Sequence, residues 1–504
     1  MVSTVELHEF VAASHEWLLV RETGKTFPLN ATEIEFVETQ GKRHFGFIDD
    51  KGFHSWRLND ASIAGNEIVI EIARAFAKKR ETMRLVPRES ATKLIAEIEA
   101  ARVHKANEIA QLITANYVSA KLGRVALNDD NGRLAQIEFE NADKTSLAAI
   151  ADVTAKLTPE IIFTAAILWV DKISLRKKKP VSEIWLICEK RQARAAQKLH
   201  ALLTEFWKRR LTIIEINRKS DLPRLVELPK RIIRDLWREK PPKLVLPERV
   251  RSPHVSKGST LEMSITAHKI IGLAPDSIDI ITSRHGETLR FNGLPFARVR
   301  TIAGAEKAWF GVGRERRILS DETWDDLCEL VESLDLNRSH QATNKRHKHF
   351  RIAPEAWLES ILRRNIKLLD ANLILSPIYN QFRFVRDKID LLALRRDGRL
   401  VIIELKTQPD RAAVFQAADY WRKIELQRRR GVLSRSDLFE GREIADKPAL
   451  VYLAAPAWSF HRDFEFFARC LSPEIELWRF ELHEEWRKKV RVIARHDYDG
   501  MTNL

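Results

Sequence analysis

Asp390, Glu404 and Lys406 are ionisable residues set inside otherwise apolar sequence, in the stretch KIDLLALRRDGRLVIIELK at 388–406. Burying a charge in apolar surroundings is costly unless something compensates it. A strand that keeps an acid and a lysine two residues apart is therefore a candidate site. Two hard oxygen donors suit Mg²⁺ or Mn²⁺, ions that retain several waters. Such an ion polarises a phosphoryl oxygen and lowers the pKa of a bound water, while a lysine orients or deprotonates that water. The chemistry is metal-assisted hydrolysis. A surface hairpin with an ordinary Glu/Lys pair is the plainer reading, and apolar residues on both faces count against it.

The elements that must position these groups are two strands and a turn. Glu404 and Lys406 share one face of their strand. Arg396-Asp397-Gly398 is a three-residue turn ending in glycine, a favoured hairpin connection. It pairs Arg395 with Arg399 and, counting back, Asp390 with Glu404. A two-residue loop would set Asp390 opposite Leu405 and remove it from the site, so the site depends on this register. Downstream, Gln416 and Tyr420 are four apart and share a helical face. That helix should stop at Gly431, after Arg428-Arg429-Arg430, arginines that suit the helix end and equally suit a DNA backbone.

Asp390, the hairpin and then Glu404-Leu405-Lys406 resemble the PD-(D/E)xK nuclease superfamily. Upstream, Pro354-Glu355-Ala356-Trp357-Leu358-Glu359, continuing to Leu362 and Asn365, has an LE…L…N spacing that resembles the first helix of the NucS-type branch. Glu359 takes the place of that helix's glutamate, with Glu355, one turn earlier, as second choice. Gln416-Ala417-Ala418-Asp419-Tyr420 resembles the QxxxY motif of RecB-like nucleases. The likeness covers about 350–495; the Pro-Asp dipeptide is missing, since Lys388-Ile389 precedes Asp390. The resemblance implies a restriction-endonuclease-like αβββαβ core in an α/β, multidomain chain. It implies Mg²⁺ (or Mn²⁺) held by Asp390, Glu404 and the Leu405 carbonyl, and Lys406 serving the attacking water. Glu359 would orient that water or a second metal ion, with Gln416 and Tyr420 supporting the lysine and the scissile phosphate. The implied activity is DNA endonuclease, structure-specific in repair or acting in defence. A non-catalytic nucleic-acid-binding scaffold with the same fold is the alternative, and RNA is not excluded as the polymer.

The chain has 504 residues, 44% hydrophobic and 31% charged, with a formal net charge of +15. That length predicts several domains. The basic excess suits a polyanion such as nucleic acid or an anionic membrane surface; a solvated basic surface explains it equally. Three cysteines, Cys188, Cys328 and Cys470, lack metal-type spacing and suggest a reducing compartment. The N-terminus carries no basic-then-apolar leader pattern, and the longest apolar stretch, near 161–170, is too short to cross a bilayer. A cytoplasmic protein is expected. A double-strand cut needs two active sites, so a homodimer or single-strand nicking would follow.

Six segments are expected. Residues 1–82 form a small β-rich domain with a turn at Asp50-Lys51-Gly52; its aromatics Phe45, Phe47, Phe53 and Trp56 are expected in the core, with base stacking as the alternative. Residues 83–220 are a second α/β domain, 221–257 a proline-rich basic linker, and 258–336 a β-rich domain closed by a helix. Residues 337–352 are an exposed basic linker, where Lys345, Arg346 and Lys348 can meet phosphates and His340, His347 and His349 are expected to hold no metal. Residues 353–498 are the nuclease-like domain, fraying after about 495. The segment 123–140 matches 389–406 without a gap at Gly132, Arg133, Leu134, Ile137 and Glu138. Lys179-Pro180 precedes an apolar strand as Lys447-Pro448 does, which suggests an internal duplication. In this first copy Arg124 (or Gly123) replaces Asp390, Glu140 replaces Lys406, and Ile150 and Thr154 fall near Gln416 and Tyr420. It is expected to be a degenerate copy kept for packing or for binding DNA.

Overall fold

Alternating apolar residues along 16–87 build a seven-stranded antiparallel sheet. In its strand Glu67–Ala73, Ile68, Ile70 and Ile72 are fully buried while the residues between them are not. Phe45 and Phe47 enter the same core, and Trp56 packs against it. This computed structural model describes residues 2–498 except 22–25, 40, 50–51, 74–79, 89–90, 178–180, 219–222, 243, 246–262, 284–285, 303–304, 314–315, 376–381, 385–387, 437 and 440. The Asp50-Lys51 turn, the Phe53 side chain, Lys179-Pro180 and residues 246–257 of the expected linker therefore lie outside the description. The chain is mixed helix and strand, with five sheets among the described residues. It divides into two units: Met1–Leu157 with Ile173–Lys190 and Ile214–Val226, and Thr158–Lys172 with Arg191–Ile213 and Glu227–Leu504.

The first unit continues through helix α1 (Ala91–Asn116) to strands β1 (Lys121–Leu127), β2 (Leu134–Glu140), β3 (Ser146–Asp152), β4 (Glu183–Glu189), β5 (Leu211–Asn217) and β6 (Arg224–Glu227). They lie side by side in that order. β1–β2 and β2–β3 are antiparallel and β3–β4 is parallel. Ala106, Ile109, Ala110 and Ile113 of α1 pack on one face of this sheet.

The second unit begins with the first part of helix α2 (Pro159–Lys177). A helix at Ile265–Gly272, absent from the sequence reading, precedes five antiparallel strands between Ile278 and Ile318 and a helix at Trp324–Asn337. Helix α3 (Pro354–Arg364) then leads into strands β7 (Leu373–Leu375), β8 (Leu391–Arg395) and β9 (Leu400–Leu405). Helix α4 (Ala413–Arg429), strand β10 (Leu450–Pro456), helix α5 (Phe464–Cys470), and strands β11 (Leu477–Leu482) and β12 (Val492–Tyr498) follow. β7 to β12 are adjacent in chain order. β7–β8 and β8–β9 are antiparallel; β9–β10 and β10–β11 are parallel. Helix, three strands, helix, strand is the αβββαβ order. β12 runs to Tyr498 and pairs with β11, so residues 496–498, expected to be frayed, are paired strand.

Strand sense corrects the expected match between the two sheets. The strand with an antiparallel neighbour before it and a parallel one after it is β9 in the second sheet and β3 in the first. Glu138 lies on β2, so its counterpart is β8, and the matched hairpins are offset by one strand. β3 reads SLAAIAD and holds no Glu-x-Lys. Asp152 accepts from the Thr154 and Leu157 amides at 2.8 and 2.6 Å, a turn-closing role. Glu138 pairs with Arg176.

Neither expected linker is a bare connector. Arg224–Glu227 is β6, Ile233–Leu236 is helical, and Leu244–Val245 pairs with Phe384-Arg383. Trp237 packs edge-on against Trp421 at 5.8 Å. In 337–352, Arg338 is fully buried and His349 and Phe350 nearly so. The Arg338 guanidinium donates to the carbonyls of Asn292 at 3.0 Å, His349 and Ile352 at 2.7 Å, and Ala353 at 3.2 Å. These carbonyls surround the left-handed Ala353 that starts α3. A Cβ on Gly293 would stand 1.9 Å from the Ala356 carbonyl oxygen, so this β-hairpin touches the first turn of α3.

Candidate active site

Local turn chemistry sets the register of the hairpin. Gly398 has φ +82°, a conformation that glycine adopts without strain. The Arg395 amide donates to the Arg399 carbonyl at 2.8 Å, and the Gly398 amide to the Arg395 carbonyl at 2.9 Å. Leu391 faces Ile403 and Leu394 faces Leu400. One step further back in that register sets Asp390 opposite Glu404, as the three-residue turn requires. Asp390 sits at a bend between the strand Lys388–Ile389 and β8. Its Oδ2 accepts the Leu405 amide at 2.9 Å.

β9 is buried at every residue because β8 and β10 flank it while α3 and α4 both touch it. Val401, Ile403 and Leu405 join the core formed with Trp357, Leu358 and Leu362 of α3. That leaves Glu404 and Lys406 on the face toward α4. Lys406 Nζ lies 3.0 Å from Glu404 Oε1 and 3.2 Å from Asp410 Oδ2. It also donates to Gln416 Oε1 at 3.1 Å, and Gln416 Nε2 donates to the Tyr420 hydroxyl at 3.0 Å. Glu404, Lys406, Gln416 and Tyr420 thus form one connected chain, and Asp390 is held beside it by the Leu405 amide. Asp410 joins it four residues after Lys406, although the sequence reading passed over it.

Glu359 does not join this group. It is 1% exposed and pairs with Arg290 at 3.4 Å and with Arg363 at 3.8 Å. Arg290 comes from the preceding β-domain, where it faces Asp279 across two strands and pairs with it. Glu355, one turn earlier, is the acid of α3 whose charge reaches both Glu404 and Lys406.

The electrostatics of the group are unbalanced. Burial, then the nearby Asp390, push the Glu404 carboxyl up to about 8 against the opposing pull of Lys406. Burial works against the Lys406 charge, but Glu404, Asp410 and Glu355 outweigh it and hold its pKa above the ordinary lysine value. Glu404 Oε2 is buried with no hydrogen-bond partner. An orphan carboxylate oxygen beside a second carboxylate fits a hard divalent cation. Among the described residues no three His, Cys, Asp or Glu converge as a complete protein cage. Asp390 and Glu404 would therefore share such an ion with water, which Mg²⁺ favours.

α4 is enclosed on most of its circumference. It packs on β9 and β10, and Phe415 meets Phe163 of α2 at 6.2 Å and Phe467 of α5 at 5.5 Å. Trp421 is core, 1% exposed. Arg428 pairs with Glu425 and Asp446, so it serves the helix end and not an open surface. Gly431 ends the helix at φ +63°.

No protein-family model and no curated protein matches this chain. Among solved structures it is similar to EndoMS in apo form, at 12% identity and TM-score 0.14, over 37% of this chain and 85% of that one. A repair endonuclease from Pyrococcus abyssi gives 11% identity and TM-score 0.14, over 37% and 86%. The EndoMS-dsDNA2 complex gives 13% identity and TM-score 0.14, over 37% and 84%. Likenesses of this size add nothing to the side-chain geometry. Among the described residues no helix is long and apolar enough to cross a membrane.

Proposed function

We propose that this chain is a Mg²⁺-dependent DNA endonuclease whose active site is Asp390, Glu404 and Lys406. The observation that carries the reading is the buried Glu404, with one orphan carboxylate oxygen and the half-buried Asp390 acting on it, beside a lysine anchored on Gln416. Asp390 and Glu404, with the Leu405 main chain, hold the metal. When bound, that ion supplies Lewis-acid polarisation of a phosphoryl oxygen and a more acidic water. Lys406 keeps its proton at neutral pH because three acids surround it. Its role is therefore to orient the attacking water and offset phosphoryl charge rather than to accept a proton. Gln416 fixes the ammonium and Tyr420 fixes Gln416. Glu355 replaces Glu359 as the helix acid facing the site. The net charge of +15 suits a nucleic acid.

End-labelled DNAs, including mismatched, branched, nicked, single-stranded and fully paired forms, test this with and without Mg²⁺ or Mn²⁺. Wild type is expected to cut only with metal. Lys406→Ala and Asp390→Ala are expected to bind as wild type does and to cut nothing. Equal cutting by those variants would overturn the assignment. Tight binding with no cutting by any form would leave a non-catalytic scaffold in its place.

A further inference from the structure

Arg487 is a half-buried cation that no acid compensates. Its guanidinium carbon lies 4.3 Å from the centre of the Trp486 ring, 4.6 Å from that of Phe350 and 5.2 Å from that of Trp357. Among the described residues it makes no hydrogen bond and no ion pair, and its Nε is buried without a partner. Burial alone pushes its pKa down to about 10. Glu484, three residues earlier, takes the Trp458 amide at 2.9 Å instead. Arg338 lies 5.0 Å from the same Trp357 ring, but its donors go to carbonyls, and the neighbouring Arg487 only adds repulsion to it.

A guanidinium carries five N–H donors in a fork that matches a phosphate. Rings can hold its plane, but they leave those donors unmet, and a buried cation without an acid costs the fold stability. The missing partner is an anion from outside the chain. Lys488 and Lys489 follow Arg487, and Phe350 closes the segment that carries Lys345, Arg346 and Lys348. All five of these cations are exposed, and none makes an ion pair among the described residues. Such a run of cations suits a polymer of phosphates better than a single small ion. Its place also fits. β9, β10 and β11 are parallel, and Arg487 follows the end of β11 at the end of the sheet where Lys406 follows β9. Phe350, Trp357 and Trp486 belong to the core on the α3 face, whereas Lys406 lies on the α4 face. We infer that Arg487, flanked by Lys488 and Lys489, clamps a backbone phosphate of the polymer away from the phosphate that is cut. The inference rests on the nuclease reading for its polymer, DNA.

The test uses the full chain carrying Lys406→Ala, so that binding is read without cutting. The probes are a fully paired duplex and the same duplex with one mismatch, titrated between about 50 and 200 mM salt. Adding Arg487→Met keeps a long side chain against the rings and removes its charge. It is expected to weaken binding to both probes alike, by about 10- to 100-fold, and to lower the slope of log affinity against log salt by about one. Its melting temperature should not fall, because the fold loses an uncompensated cation. Arg487→Lys, which keeps the charge, should recover most of the slope. Unchanged affinity and slope in Arg487→Met would overturn the inference while leaving the nuclease reading to its own cleavage assay. A lower melting temperature with affinity kept would overturn it too, making the ring cage a structural strut. Should Arg487→Met fail to fold, Lys488→Gln with Lys489→Gln carries the test, and an unchanged salt slope there overturns the inference. Arg487-dependent binding by a chain whose wild type cuts nothing would uphold the clamp and sink the nuclease. No binding of either probe by any form would overturn both readings.

Discussion

Replacing Arg290 with methionine separates structural from catalytic acids on α3. Arg290 and Glu359 side chains are each 2% exposed, and Asp279 is 15% exposed. Without the guanidinium, Arg363 remains at 3.8 Å from Glu359 and 3.9 Å from Asp279, too far for a tight pair with either. Removing one partner of a buried ion pair costs about 3–5 kcal/mol, because the remaining charge stays desolvated. For a unit of roughly 300 residues that is a fall of about 5–8 °C in the transition that melts it. Glu359→Gln leaves Arg290 its Asp279 partner and should cost less. In the double variant the two losses should not add, since both act on one contact. The assay is thermal melting of wild type, both single variants and the double variant, with cleavage measured on each well below its melting point. Reduced melting temperature with retained cutting is the expected result for Glu359→Gln. An unchanged melting temperature with cutting abolished would refute the reasoning and return Glu359 to the active site.

Three further outcomes follow from the site. Because its folded pKa of about 8 exceeds the ordinary 4.5, Glu404 contributes stability that is present below the unfolded value and lost as pH rises through about 8. Metal-free wild type should therefore lose on the order of 4 kcal/mol relative to Glu404→Gln between pH 5 and 9; parallel melting-temperature profiles for the two proteins would contradict this. Mg²⁺ should raise the melting temperature of wild type at pH 8 and leave Glu404→Gln unmoved, because the ion binds the carboxylate. Gln416→Ala removes a neutral acceptor from a charged donor, so cutting should slow by about 10- to 100-fold with DNA affinity unchanged. A Gln416→Ala enzyme that cuts at the wild-type rate would remove the relay from the mechanism.

The hairpin register was legible because it is local: Gly398 at the left-handed turn position fixes which residues face each other. The surroundings of Glu355 and Glu359 were not. They lie one turn apart on an amphipathic helix, and Arg290, which pairs with Glu359, is 69 residues away in sequence. The duplicated hairpin misled for the opposite reason. Gly-Arg-Leu after a polar turn is what many hairpins need, so five identities tracked turn chemistry, whereas the parallel partner of β3 identifies its counterpart as β9. The linkers misled through composition: Arg338 is basic, yet its guanidinium serves buried carbonyls from two segments.

Two buried charge clusters in this unit therefore have opposite meanings. Around Arg290 there are two acids and two arginines, and the sum is neutral. Such a set nearly balances its own charge and ties a strand of the β-domain to α3. Around Lys406 stand Glu404, Asp410 and, further off, Glu355, with Asp390 acting on Glu404. Three acids act on Lys406 and a fourth, Asp390, acts on Glu404, while one Glu404 oxygen has no hydrogen-bond partner. A fold gains nothing in stability from that excess, since each added acid raises the penalty on Glu404. Under the proposed function, a divalent cation would reverse the sign of that balance, with Asp390 and Glu404 as its ligands. The excess negative charge, more than the identity of any one residue, is what separates a site from a strut here.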